Sequence, residues 1–348
     1  PELVLVGTDF PAYLRYAEKM RRIYADFSDR VEPFGLDEAW LDVSDVGAEG
    51  KVIADEIRAR AKKELGLTVS VGVSFGKVFA KLASDLKKPD ATTCVTVENF
   101  RKVVWPLPAR ALLYVGPATE RRLRERNIRT IGDIAARRPE DLRAMLGKHG
   151  ETLWTYASGL ECDPVAPLGA EALIKSIGNS TTPSRDLENM DDARSFYYLL
   201  AESVAARLRD AGLHARCVSI HARSPQLVTR CGQTMLSRPS NLTDEIAAAA
   251  MDLFTKRFSS GFPYRSVGLT CTALTPDNEP VQLDFTGDEK RRMRMERLER
   301  SIDALRRRYG HPVVTRGVVL HGRECSSVSP EQDSLIHPIA FHAGRERA

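Results

Sequence analysis

The chain has 348 residues, 43% hydrophobic and 28% charged, with a formal net charge of +4; the length suits two or three domains and the composition is that of an ordinary globular protein. No apolar run approaches the roughly 18 residues that cross a bilayer and no signal peptide opens the chain, so the expected compartment is the cytoplasm and a membrane role is excluded. The six cysteines form no CxxC pair, which argues against a zinc site and a disulfide framework and for reduced thiols.

In chain order, Leu3–Val6 is a short apolar run suited to a buried strand. Pro11–Phe27 has apolar residues at helical spacing, with Asp9 as the N-cap region. Leu36–Val43 suits a hairpin-paired strand. Lys51–Leu65 is a second helix closed by Gly66. Thr68–Ser74 alternates and is β-branched, hence a strand. Lys77–Leu86 is a helix stopped before Pro89. This βαβαβα order predicts helices layered over a sheet in residues 1–103.

Residues 104–168 change character to short helices joined by Gly and Pro turns, and Pro164–Gly169 is a boundary loop. Residues 173–322 form a third block: helix Asp191–Asp210, strand Ala215–Ser224, helix Thr243–Arg257, strand Tyr264–Ala273, helix Glu289–Tyr309 and strand Val313–Leu320, in β-α-β-like order. The tail, 323–348, is polar and expected to be flexible. The fold class expected is α+β throughout. Charge follows the same blocks: 14 Lys/Arg against 17 Asp/Glu over residues 1–100, 12 against 6 over 101–160, and 22 against 17 over 173–322. An acidic first part followed by two basic ones is the footprint of a phosphate-binding protein.

Three stretches carry chemistry. Asp37 and Glu38 are adjacent carboxylates in an otherwise apolar stretch, where an unmet charge is costly. Two readings stand: Mg²⁺ meets them, since it favours carboxylates plus water and substrate phosphates, or Asp37 begins a turn and Glu38 is solvated. Ser74, Gly76 and Lys77 form a strand-to-helix turn, and a helix N-terminus attracts phosphate. Lys81, Ser84 and Lys88 follow on neighbouring parts of one helical face; the alternative is a plain amphipathic helix with solvated lysines. Leu113–Ile134, with Gly116-Pro117 before a basic helix and a break at Asn127, has the pattern of a helix-hairpin-helix unit, whose turn lets backbone N–H groups approach DNA phosphate. Gly147-Lys148-His149-Gly150 is a second glycine-framed basic turn. Such turns also occur in plain helical bundles.

Together these segments resemble the Y-family DNA polymerases of the DNA polymerase IV and UmuC-like branches. Gly35-Leu36-Asp37-Glu38-Ala39-Trp40-Leu41-Asp42 matches the family pattern S-x-D-E-A-aromatic-L-D except at Gly35. Ala80–Pro89 matches A-K-x-A-S-D-x-x-K-P at every defined position. Val115-Gly116-Pro117-Ala118-Thr119 matches V-G-P-x-T, and Lys175-Ser176-Ile177-Gly178 matches K-S-I-G, with Arg185-Asp186-Leu187 following. The matches run in one order from the N-terminus to about residue 322.

The resemblance implies a palm (1–103), a thumb (104–168) and a DNA-binding little finger (173–322). It implies template-directed nucleotidyl transfer with two Mg²⁺ ions, Asp37 and Glu38 acting as metal ligands and catalytic carboxylates. Lys88 and Lys81 would face the deoxynucleoside triphosphate. Gly116, Thr119, Lys148, Lys175, Ser176 and Arg185 would contact the primed template duplex. Gln332, Leu335 and Ile336 resemble a sliding-clamp docking peptide. The alternative is a catalytically inactive DNA-binding accessory protein on the same scaffold.

Departures from the family pattern are also expected to matter. The family opens with a strand whose aspartate completes the metal site, followed by a fingers region; this chain opens with Pro1 where the fingers should rejoin the palm. Truncation or omission of that segment is the expectation, because a palm without its central strand exposes an unpaired edge. Gly76 and Asp90-Ala91 stand where the family often has Asn and Asn-Gly.

Overall fold

The computed structural model describes residues 3–4, 6–170, 173–278 and 288–321. The chain divides into two compact units, residues 1–171 and 172–348, each with its own apolar core.

In the first unit, α1 (Phe10–Ala25) starts where Asp9 Oδ1 accepts a hydrogen bond from the Ala12 amide at 2.9 Å. Its apolar stripe buries Ala17, Met20 and Ile23. A short antiparallel hairpin follows, β1 (Val31–Pro33) with β2 (Ala39–Leu41), Glu32 opposite Trp40. Next, α2 (Gly50–Arg60) runs into a π-helical turn, Ala61–Leu65, closed by Gly66 in the left-handed region at φ 67, as the sequence predicts. β3 (Val71–Ser74) pairs in parallel with β4 (Thr92–Val95), and α3 (Lys77–Leu86) crosses over between them. A Cβ at Gly72 would lie 1.9 Å from the Ala80 carbonyl oxygen, so only glycine lets α3 pack this closely on β3.

Three expectations are corrected here. Leu3, Val4 and Val6 are not in a strand and are about 80% exposed; no described strand offers them a ladder. The strand expected over Leu36–Val43 shrinks to β2, and Asp37 and Glu38 sit in the bend before it. The described strands of this unit form two separate two-stranded sheets, and β4 (Thr92–Val95), β-branched but only four residues long, was not read from the sequence.

The rest of the first unit is helical: α4 (Phe100–Val103), α5 (Pro117–Arg124), α6 (Ile131–Ala135), α7 (Pro139–Leu146) and α8 (Lys148–Ala157). Leu123, Ile131, Ile134, Leu142 and Leu153 are at most 1% exposed, each contributing roughly 1.5–3 kcal/mol of burial. The chain reverses after α5 at Asn127, φ 56, a residue that tolerates this conformation. Thr130 and Asp133 then close a reciprocal capping box on α6.

The second unit is an antiparallel sheet in the order β5 (Ser176–Thr181), β8 (Ser266–Pro276), β6 (Leu213–Arg223), β7 (Thr229–Ser240). α9 (Met190–Asp210) and α10 (Thr243–Arg257) pack with it into one core through Tyr197, Val204, Ile246 and Phe254. α11 (Asp288–Tyr309) packs against α9. Every pairing is antiparallel, so the β-α-β-like order describes the chain but not the ladder. The strand expected over Val313–Leu320 is instead a 3-10 turn at His311–Val313 and a short helix, α12 (Gly317–His321). Arg316 explains it: its guanidinium meets Glu202, Glu299 and Asp244 at 2.9, 2.9 and 3.3 Å, holding the segment onto helices rather than a sheet edge. The clamp-like residues Gln332, Leu335 and Ile336 lie outside the described residues.

Candidate active site

A cavity of about 1000 Å³ opens in the first unit, walled by α1, α2, the β1–β2 hairpin, β3 and α3. Asp37, Glu38, Lys81 and Lys88 all line it. Consecutive residues Ala39–Leu41 and Val71–Ser74 also line it, so backbone of both β2 and β3 borders the space.

The carboxylates reach the cavity because the chain turns sharply at Gly35, φ 87, a conformation most side chains resist. Trp40 fixes the hairpin from behind. Its indole Nε1 donates to the Lys77 carbonyl at 2.9 Å, its ring lies tilted against Phe34 with centroids 4.5 Å apart, and the Lys77 ammonium lies 5.4 Å from its centroid. Asp37 is exposed, whereas the Glu38 side chain is 38% exposed and meets Lys81 Nζ at 3.1 Å.

Lys81 is shared. Its ammonium also meets Asp85 Oδ2 at 2.5 Å, and Lys88 Nζ meets Asp85 Oδ1 at 2.6 Å. Burial works against the Lys81 charge, but hydrogen bonds to Asp85 and Glu38 outweigh it and hold the ammonium above the ordinary lysine range. Burial likewise opposes the Asp85 charge, and the two lysines still hold its carboxyl below the usual carboxylate range. On the opposite wall, Tyr24 is pushed up to about 12 by burial and then by the negative charge of Asp37. Tyr13, Tyr16 and Tyr24 line the cavity from α1. Their helical spacing marked them only as an apolar face; three phenols on one stripe was the available signal for a polar-edged cavity wall.

The phosphate cradle expected at the start of α3 is not free. Glu161 Oε2 lies 3.4 Å from the Val78 amide, so a carboxylate of this chain already occupies the positive end of the helix. Lys77 is bound to Glu32 at 2.6 Å, and Glu32 also accepts from the Ala166 amide at 2.8 Å. The remaining candidates lie elsewhere. Gly116 is the exposed residue that caps α5, with Thr119 in its first turn. Lys148 is exposed at the start of α8. Lys175 and Ser176 are exposed at the start of β5 in the second unit. Arg185 holds Asp192 in a bidentate pair at 3.0 and 3.2 Å, which ties its loop to the first turn of α9.

Magnesium takes one or two carboxylates and completes its shell with water and phosphate oxygens. Adjacent carboxylates at a cavity, with lysines beside them, fit that donor set. Among the described residues no group of three or more His, Cys, Asp or Glu could hold an ion unaided, so the arrangement fits an ion finished by substrate.

Residues 1–85 match the impB/mucB/samB family and residues 174–285 match the impB/mucB/samB family C-terminal domain. The DNA polymerase IV of Acetivibrio thermocellus is 44% identical over 326 residues, covering 93% of this chain and 82% of that protein. The DNA polymerase IV of Clostridium acetobutylicum is 31% identical over 326 residues, covering 93% and 81%. The chain belongs to the Y family of DNA polymerases. It is a DNA-directed DNA polymerase of the translesion type, in a family that uses divalent metals. A solved Y-family DNA polymerase chimera of Dbh and Dpo4 shares the fold, with a TM-score of 0.69 at 19% identity over 79% of this chain and 80% of that one. Among the described residues no helix is long and apolar enough to cross a membrane.

Two departures of this polymerase from the family pattern have local causes. Asp90 sits at φ 50, and its carboxylate is gripped by Arg58 at 2.9 Å; aspartate is one of the few side chains that accept this backbone region. At Gly76 a Cβ would come within 2.7 Å of Glu161 Oε2, so its absence is what lets Glu161 reach α3.

Proposed function

We propose that Asp37 and Glu38 are catalytic carboxylates that hold Mg²⁺ for template-directed nucleotidyl transfer, with Lys81 and Lys88 facing the triphosphate. The observation that carries this reading is the convergence of those four side chains on one cavity. Two Mg²⁺ ions, when bound, would stabilise the attacking and leaving oxygens of an in-line displacement. The chain's own groups have simpler work. Asp37 and Glu38 supply negative oxygens from a hairpin braced by Trp40. Lys88, 56% exposed, can leave Asp85 for phosphate oxygens and offset charge that builds on the departing pyrophosphate. Lys81 can exchange Glu38 for the same phosphates once a metal takes that carboxylate.

The substrates of this reading are a primed template duplex and deoxynucleoside triphosphates. Gly116, Thr119, Lys148, Lys175 and Ser176 are exposed or half-exposed, as backbone-gripping residues must be; Arg185, exposed and paired with Asp192, belongs to the same proposed set. Clamp docking through Gln332, Leu335 and Ile336 belongs to the same proposal, and its check is a clamp pull-down that Leu335→Ala abolishes.

The deciding test is primer extension with Mg²⁺ and deoxynucleotides, parent beside Asp37→Ala. Asp37→Ala should lower the rate about a hundredfold or more, the scale of several kcal/mol of lost transition-state stabilisation, while primed-duplex binding stays within about twofold. Equal rates would overturn the assignment of Asp37. A parent that binds primed duplex without extending it would favour the inactive DNA-binding protein on the same scaffold.

A further inference from the structure

The loop that leaves α3 is held by an arginine that does not border the cavity. Lys88, Pro89 and Asp90 line the cavity and lie between the end of α3 at Leu86 and the start of β4 at Thr92. Arg58 of α2 reaches this loop with all three guanidinium nitrogens. Nε and Nη2 donate to Asp90 Oδ1 at 3.2 and 2.9 Å, and Nη2 also donates to the Asp90 carbonyl. Nη1 donates to Thr92 Oγ1 at 3.2 Å and to Asp55 Oδ1 at 3.1 Å. Thr92 Oγ1 donates in turn to Asp55 Oδ1 at 2.6 Å. The next carbonyl of the loop, that of Ala91, accepts from the Val71 amide at 2.8 Å.

This grip does more than join two surface charges. Ile53, Ala54 and Ile57 are buried on α2, so Arg58 ties the loop to an element seated in the core. Asp90 sits at φ 50, a backbone state that persists where the surroundings over-determine it. Here one guanidinium holds both its carbonyl and its carboxylate. A lysine could not, because one ammonium does not span anchors on both sides of a fork. Lys88, by contrast, is 56% exposed and held at its tip by the exposed Asp85. Where its ammonium can reach is therefore set by where the loop holds its backbone. Arg58 also withholds Asp90 from Lys88. Released, that carboxylate would compete with phosphate for the lysine two residues away. Lys62 reaches the other Asp90 oxygen at 3.5 Å, but from a 66% exposed position, where an ion pair holds weakly.

We propose that Arg58 is a positioning residue for the triphosphate of the incoming deoxynucleotide, fixing the 88–90 loop so that Lys88 is presented to phosphate oxygens. It touches no reacting atom and acts through Lys88. The inference rests on the reading that Lys88 faces the triphosphate, and Lys88→Ala tests that reading separately.

The experiment is steady-state primer extension with Mg²⁺ over a range of deoxynucleotide concentrations. Arg58→Met, Lys88→Ala and the double variant are run beside the parent. Arg58→Met should raise the KM for deoxynucleotide about tenfold, the scale of one lost charge-assisted hydrogen bond. Its kcat and its Kd for primed duplex should stay within about twofold, because a bound triphosphate recruits the lysine itself. The double variant should be no worse than Lys88→Ala alone, since both changes act on one contact. Arg58→Lys keeps the charge without the fork and should raise the KM about threefold; it carries the test if Arg58→Met does not fold. An unchanged KM in the Arg58 variants overturns the proposal, as do fully additive losses in the double variant. If Lys88→Ala leaves the KM at the parent value, the reading of Lys88 falls first and this inference falls with it.

Discussion

Glu38 with Lys81 in the first unit, and Glu299 with Arg209 in the second, are both acid–base contacts between distant parts of the chain, yet they do opposite work. Arg209 and Glu299 are each 3% exposed. Arg209 also binds Asp303 at 2.7 and 3.0 Å and the Asn241 carbonyl at 2.6 Å. Glu299 also accepts from the Thr243 amide and hydroxyl and from Arg316. Arg209 thus donates to Asp303, Glu299 and the Asn241 carbonyl, and both Glu299 oxygens accept, so each buried charge is met by opposite charge and hydrogen bonds, the condition on which it is tolerated. Lys81, by contrast, divides itself between Glu38 and Asp85, which are 38% and 47% exposed, and Asp37 beside them is exposed. The lesson is that a closed network holds helices in place, whereas an open one can exchange its partners for a charged substrate.

The comparison breaks most sharply at its two cations. Arg209→Met leaves Glu299 and Asp303 buried without their partner and should cost the second unit about 3–5 kcal/mol. Lys81→Met removes a contact that solvent already weakens and should cost about 1 kcal/mol or less. Denaturant unfolding of the two variants beside the parent checks both. Similar losses from the two would mean that the active-site lysine is as structural as the buried arginine, and the division between closed and open networks would fall.

How much of this was legible in the sequence differs between elements for physical reasons. The helices α3, α9 and α10 were read to within a residue because a buried apolar stripe repeats every three or four positions, whereas α11 was read as closely from its unbroken run of charged, helix-favouring residues. β5 and β7 were not read. The first is Ser176–Thr181, with only Ile177 buried; the second, Thr229–Ser240, alternates in burial but turns Gly232 and Thr234 inward and Cys231 and Met235 outward, so neither sequence shows the apolar/polar alternation that marks a half-buried strand. Asp37, Glu38, Lys81 and Lys88 were found through motif and spacing, and the fold brings all four to one cavity. Glu161 on the start of α3 and the Arg185–Asp192 pair were not found. Glu161 is 83 residues from the amide it approaches, and no local pattern encodes such a meeting. The burial of Glu289, Glu299 and Asp303 on α11 was hidden for a related reason. Its sequence is simply a charged helix until the partners Arg209, Arg238 and Arg316 are known.

Acid gives a second, smaller test of the closed network, through Glu202. This side chain is 1% exposed and faces Arg306 and Arg316, each at 2.9 Å, and His311 at 3.4 Å. Burial opposes its charge, but His311 and the two arginines outweigh burial and hold the carboxyl at about 2, against an ordinary 4.5. A carboxyl held low in the folded state contributes stability above its unfolded value of 4.5 and loses it as pH falls toward 2, because the unfolded chain takes up the proton first. The difference corresponds to about 3 kcal/mol at neutral pH. Glu202→Gln removes the titrating group, so its stability should fall less steeply than the parent's between pH 4.5 and 2, although the variant is less stable at pH 7. Unfolding midpoints of parent and variant across that window decide it. Parallel curves would mean that Glu202 is not held charged by its arginines, and would reopen how α11 and α12 are fixed to α9.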